Sequence, residues 1–114
     1  MSAKKIPAIG TLRDKVQLEA KNMNDDGAGG HVVSYALIAT VWANVSPSNG
    51  REVREADANN IATSHIVLLR FRSDLSVGDR LIYRSRILEI LSVNDFNGHK
   101  AYLKCLCSEI VVVG

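Results

Sequence analysis

The sequence is poor in proline, cysteine and aromatic residues. Two prolines in 114 residues leave long stretches free of the ring that removes a backbone donor, so extended ladders meet few interruptions. The two cysteines, Cys105 and Cys107, are separated by one residue. On a strand they share one face, where a disulfide between i and i+2 is strained. A structural zinc site takes about four ligands, and His31, His65 and His99 are scattered. The cysteines therefore read as two small core-facing side chains on a late strand, with no metal and no other cofactor expected. Aromatics are 5% of the chain, so the core must be mostly Val, Ile, Leu and Ala.

Other absences narrow the function. No apolar run approaches the roughly eighteen residues of a membrane span. The basic start Met1-Ser2-Ala3-Lys4-Lys5 is followed by Ile6-Pro7-Ala8-Ile9-Gly10, too short and interrupted for a signal-peptide core. The expectation is a protein made in a cytoplasm-like compartment with no membrane partner. Charge of one sign is lacking too: 14 basic against 12 acidic residues, a net of +2, neither requires nor excludes a nucleic-acid partner. No catalytic signature is found: no Gly-x-Ser-x-Gly, no phosphate loop, no His-Glu-x-x-His and no dinucleotide fingerprint. Gly27-Ala28-Gly29-Gly30 lacks the Lys-Ser/Thr of a phosphate loop and reads as a hairpin tip. No enzyme is expected and no catalytic residue is assigned.

The order of residues predicts an all-β chain. Residues 1–8 read as a flexible tail and residues 9–114 as one domain, since the length allows a single core. From Lys15, polar Lys15, Gln17 and Glu19 alternate with apolar Val16, Leu18 and Ala20, the period-two signature of a half-buried strand. Lys21 to Gly30 reads as a long hairpin loop. His31 to about Val45, rich in β-branched and aromatic residues, is a strand long enough to need a bend or bulge. Ser46-Pro47-Ser48-Asn49-Gly50 stops it. Ser64 to Arg72 carries the four-residue apolar run Ile66 to Leu69 and predicts burial on both faces in its middle. Strands follow at Arg80–Arg84, Ile87–Val93 and Lys100–Ile110, with turns at Ser73–Asp79, around Ser85, and at Asn94–Gly98. Six strands with short connections predict a small antiparallel barrel or sandwich, and a barrel removes exposed edges.

One segment breaks the pattern. Arg51 to about Ile61 is polar and charged with almost no apolar stripe. Asn49 with Glu52 three residues on resembles a capping box, so a short helix and a loop are both open. Among the basic residues, Arg70 and Arg72 share one face of a strand, and Arg84 and Arg86 flank the next turn. Together they form a candidate basic stripe for phosphates or for a neighbouring subunit, against the plainer reading of a polar outer face with cross-strand pairs. Trp42, the one tryptophan, sits beside Ala43 and is expected to be a core anchor at the barrel end.

These blocks resemble the phage head–tail joining family, also described as head-closure or stopper proteins. Ile9-Gly10-Thr11-Leu12-Arg13-Asp14-Lys15-Val16 resembles its Gly-x-Leu-Arg-x-x-Val opening. Asp26 to Gly30 resembles its glycine-rich hairpin. Val41 to Glu52 is similar to its Trp-Ala-x-Val-x-Pro-x-x-Gly-x-Glu block, and Ser64-His65-Ile66-Val67 with Leu69-Arg70-Phe71-Arg72 to its Thr-His-x-Ile…Ile-Arg-Tyr-Arg strand. Gly78-Asp79-Arg80, Arg86 to Ile90 and Leu103 to Glu109 fit the later strands. Residues 9–109 follow the family order, with Ser64, Phe71 and Leu88 as mild departures.

The resemblance implies a small β-barrel that assembles as a homo-oligomeric ring in the virion neck of a tailed phage, prophage or gene-transfer agent, after assembly in the host cytoplasm. Its neighbours would be the portal and its adaptor above, a tail or tail-terminator protein below, and packaged double-stranded DNA in the channel. Within that frame the insert with Gly50, Arg51, Glu52, Arg54, Glu55 and Asp57 is a candidate channel plug and gate: its alternating charges can pair around a ring, and its acids repel phosphate. Gly50 would supply a positive φ at its start. Leu12 and Arg13 are candidates for docking the neighbouring ring, unless Leu12 simply covers the barrel bottom. An adaptor or tail-terminator ring of the same neck, or a small cytosolic nucleic-acid-binding barrel, are the alternatives.

Overall fold

The computed structural model of the chain describes residues 12–25, 27–48 and 63–111. Within them six strands close an antiparallel barrel: β1 (Asp14–Asp25), β2 (His31–Pro47), β3 (His65–Arg70), β4 (Arg80–Tyr83), β5 (Arg86–Asp95) and β6 (Tyr102–Ile110). Around the barrel they run β1-β2-β3-β6-β5-β4 and back to β1, so β3 and β4, consecutive in the chain, lie on opposite walls.

Period-two patterning fills the interior. Val16 and Leu18 of β1, Ala43 of β2, Val67 and Leu69 of β3, Leu81 of β4, Leu88 and Ile90 of β5, and Leu103, Cys105 and Cys107 of β6 form one buried cluster, joined by Leu75 from the β3–β4 connection. The apolar run of β3 is not buried on both faces: Val67 and Leu69 point inward while Ile66 and Leu68 are half-buried. The cysteines face the core as free thiols, and desolvation pushes Cys105 up to about 12 and Cys107 further up.

Two extra residues bend the wall. Leu18 pairs with Ala39 and Glu19 with Leu37, which leaves Ile38 as the bulge residue that the length of β2 predicted. Leu91 takes the same place in β5, between Ile90 paired with Cys107 and Ser92 paired with Leu106. The β4–β5 turn is a two-residue connection with Arg84 at φ 49° and Ser85 at φ 66°, left-handed backbone that glycine or asparagine adopts more readily.

The first half of the expected Lys21–Gly30 loop is strand. Lys21 to Asp25 continue β1, pairing residue by residue with Tyr35 to His31. Polar side chains suggested a loop, but the β-branched partner strand holds the ladder. Among the described residues no third strand pairs with this part of the hairpin. β1 meets β4 only at Gln17–Glu19, and β2 meets β3 only at Ala43–Pro47. The hairpin therefore leaves the barrel as a two-stranded arm, and the molecule measures 56 × 29 × 28 Å.

Candidate functional site

The barrel presents two different ends. At one, Pro47 pairs with His65, His65 with Cys107, and Ile87 with Ile110. The segment between β2 and β3 is rooted here. The Ser48 N–H donates to the Ser64 carbonyl at 3.1 Å, and the Ser48 hydroxyl donates to the Thr63 carbonyl. Ser64 N–H donates to the Cys107 carbonyl at 2.8 Å, and its Oγ accepts the Glu109 N–H at 2.7 Å while lying 2.9 Å from His65 Nδ1. The two ends of the insert are thus tied to each other and to β6. The candidate gate residues Gly50, Arg51, Glu52, Arg54, Glu55 and Asp57 lie outside the described residues.

The candidate basic stripe is divided. Arg70 ends β3 beside Tyr102, at the opposite barrel end from the Arg84–Ser85 turn and on the opposite wall. Arg72 is paired with Asp74 by two hydrogen bonds of 2.9 and 2.8 Å. That pairing raises the Arg72 pKa and lowers that of Asp74, in each case mainly through the hydrogen bond. Arg86 reaches Glu109 only at 4.0 Å. Arg84 instead lines a shallow polar groove with Lys15, Gln17 and Thr40. Chain proximity suggested one stripe; the insertion of β6 and β5 between β3 and β4 separates it into an Arg70 site and an Arg84–Arg86 site at the insert's end.

Trp42 is not a core anchor. It is 57% exposed, opposite Lys15 on the outer face, with the Lys15 ammonium 5.9 Å from its ring centroid. Its neighbour Ala43 takes the inward position. Alternation carried the signal: Val41, Ala43 and Val45 make the core-facing set, and Trp42 belongs with Asn44 and Ser46. Leu12 is 8% exposed, buried against its own chain, and Arg13 beside it is exposed.

The other end carries the arm, and sequence reasoning missed it. Met23 is 61% and Leu37 59% exposed, with Val32 and Val33 also open to solvent. Met23 and Val33 are cross-strand partners, as are Glu19 and Leu37, which places Met23, Val33 and Leu37 on the outer face. Tyr35 on that face is covered by the Arg80 guanidinium at 3.7 Å. Where β3 leaves the edge of β2, a cleft of about 400 Å³ opens, lined by Val41, Trp42, Leu69, Arg70, Phe71 and Arg72. The signal available in the sequence was the run Val32-Val33 and Leu37-Ile38, too apolar for a strand with no second neighbour.

Asp79 fixes the arm's base. Its buried carboxylate accepts the Lys21 N–H at 2.9 Å through Oδ1 and the Ser76 N–H at 2.9 Å through Oδ2. Its own carbonyl accepts the Ile90 N–H at 2.9 Å. One side chain thereby ties β1, just beyond its last pair with β4, to the β3–β4 connection. Among the described residues no three His, Cys, Asp or Glu side chains cluster to hold a metal ion, and no helix is long and apolar enough to cross a membrane.

Comparison with known proteins follows the same geometry. The model of the phage head completion protein family matches residues 7–110. The solution structure of protein SF1141 from Shigella flexneri 2a superposes with a TM-score of 0.69 at 23% identity, covering 89% of this chain and 95% of that one. A chain in the virion of a native gene transfer agent particle superposes with a TM-score of 0.62 at 25% identity, covering 89% of this chain and 97% of that one. No curated protein matches the sequence.

Proposed function

The chain belongs to the phage head completion protein family, a structural component of the head or neck of a phage-like particle, and we propose that it forms the ring that closes the head after DNA packaging. In this reading the barrel is the rigid ring subunit, seated below the portal and its adaptor, and its lower surface receives the tail or tail terminator. The role is structural rather than catalytic.

The observation that carries the reading is the family match over nearly the whole barrel. Likeness to a chain of a gene transfer agent virion supports it. The rooting of residues 49–62 adds a mechanism. Their stem is tied by Ser48 to Thr63 and Ser64, so the segment has a fixed origin on the barrel whatever its own conformation. It carries Arg51, Glu52, Arg54, Glu55 and Asp57, which can pair between subunits and repel DNA phosphate. We assign it the role of channel plug. Arg84 and Arg86 stand at the same end, where phosphates passing the ring would meet them.

Electron microscopy of particles from a strain lacking the gene tests the reading. The expected products are separate tails and tailless heads that have lost their DNA. Full heads with tails attached overturn it. A variant lacking Arg51 to Asn59 tests the plug separately: assembled necks that leak DNA are expected, and particles that keep their DNA remove the plug assignment while leaving the ring.

A further inference from the structure

The arm and the cleft lie on one chain but cannot meet within it. The cleft is bounded by Val41 and Trp42 of β2, and the arm extends away from that point along the same strand. Its residues Lys21–Asp25, five at about 3.4 Å each, reach roughly 17 Å beyond the barrel wall. A two-stranded ribbon with Met23, Val33 and Leu37 exposed is marginal in water by itself, and contiguous apolar exposure marks a contact surface. Beyond the barrel, the backbone edges of β1 and β2 have no further strand neighbour among the described residues.

The two surfaces are complementary in charge as well as polarity. The arm tip carries exposed Asp25, whose Oδ1 accepts the Gly27 N–H at 2.9 Å. The cleft has an apolar floor of Val41, Leu69 and Phe71 with Arg70 at its rim. Arg70 is exposed and makes no ion pair with any described residue. Arg72, by contrast, is already held by Asp74.

We propose that the arm of one copy seats in the cleft of the next, with Met23 and Val33 on the apolar floor and Asp25 facing Arg70. The occupant is a second copy of this chain. Because arm and cleft are different patches, the contact is head-to-tail, the type that closes into a ring when its rotation allows. The inference rests on the reading of the chain as a ring subunit of the neck.

Cysteine cross-linking in assembled particles tests it. Particles carrying Met23→Cys with Phe71→Cys are oxidised and run on a non-reducing gel. A ladder of chain multiples is expected, and either single substitution should give none; the native thiols are buried. Charge exchange gives a second measurement. Asp25→Arg or Arg70→Asp alone should lower the chain's incorporation into particles at least several-fold, and the two together should restore it. Asp25→Asn, which keeps an acceptor for the Gly27 N–H, separates loss of charge from loss of the turn. Particles that contain the chain but give no ladder overturn the inference, as do cross-links to a different protein or a double exchange as defective as the singles. Particles that lack the chain altogether overturn the neck reading first, and this contact with it.

Discussion

The two halves of the β1–β2 hairpin obey one pattern and have opposite fates. In the lower half, Val16 and Leu18 of β1 and Ala43 of β2 enter the core and are fully buried. In the upper half the same pairing continues from Lys21 with Tyr35 to Asp25 with His31, yet beyond the Lys21–Tyr35 pair every paired residue is exposed. Backbone hydrogen bonds are alike in the two halves; only the third layer differs. A strand ladder therefore sets shape, while burial against other walls sets stability. The upper half holds a shape without the burial that would fix it, the condition of a segment made to meet something else.

The largest expected effect comes from breaking the buried half. Leu69→Ala or Leu88→Ala should lower unfolding free energy by about 2–5 kcal/mol, whereas Met23→Ala or Leu37→Ala should stay within about 0.5 kcal/mol. Denaturant melts of the purified chain measure both. Equal losses in the two halves would mean that the arm folds back on the body in solution.

Next in size is the joint between the halves. Asp79→Ala leaves the Lys21 and Ser76 N–H groups without their acceptor and should cost about 1–3 kcal/mol. Hydrogen exchange should quicken at Lys21 and along the arm before it quickens in β6. If β6 loses protection equally, Asp79 supports the whole barrel rather than the arm's base.

A smaller gain is expected at the β4–β5 turn. Replacing Arg84-Ser85 by Asn-Gly relieves two left-handed positions and should raise stability by about 1 kcal/mol. The arm's exchange rates should not change, because the turn lies at the other end.

The last contrast is a slope with pH. Burial raises the thiol of Cys105 from its ordinary 9.0 to about 12 and that of Cys107 further. The unfolded chain releases those protons first, so stability is full below pH 9 and falls as pH rises from there toward 12. Cys105→Ala/Cys107→Ala should flatten that slope, while arm substitutions should leave it unchanged.

Alternation made most of the barrel legible: the strands and the inward cysteines follow from period two, and the bulge in β2 from that strand's length. Three features were not. Lys21, Asn22, Asn24 and Asp25 carry loop chemistry, and only their pairing with Val32 to Tyr35 keeps them extended. Trp42 was read by its size, and its position in the alternation was the better guide. Arg70 and Arg84 were joined because they are near in sequence, but strand order is a long-range property, set where β6 slots beside β3. The proposed plug residues Gly50 to Asp57 lie outside the described residues, and their assignment is argued from the alternation of their charges.

The barrel's circumference is not equally fastened. β3 and β6 share six paired positions and β4 and β5 share four, but β1 and β4 meet at only three, Gln17 to Glu19 against Ile82 to Arg80. That joint is a seam, with the Asp79 carboxylate as one further stitch at Lys21. A hoop yields at its weakest join, so a load on the subunit opens the wall here first and leaves the β3–β6–β5 panel intact. The arm hangs from the β1 side of the seam. Seating it against a fixed support would brace the barrel where its own ladder is thinnest.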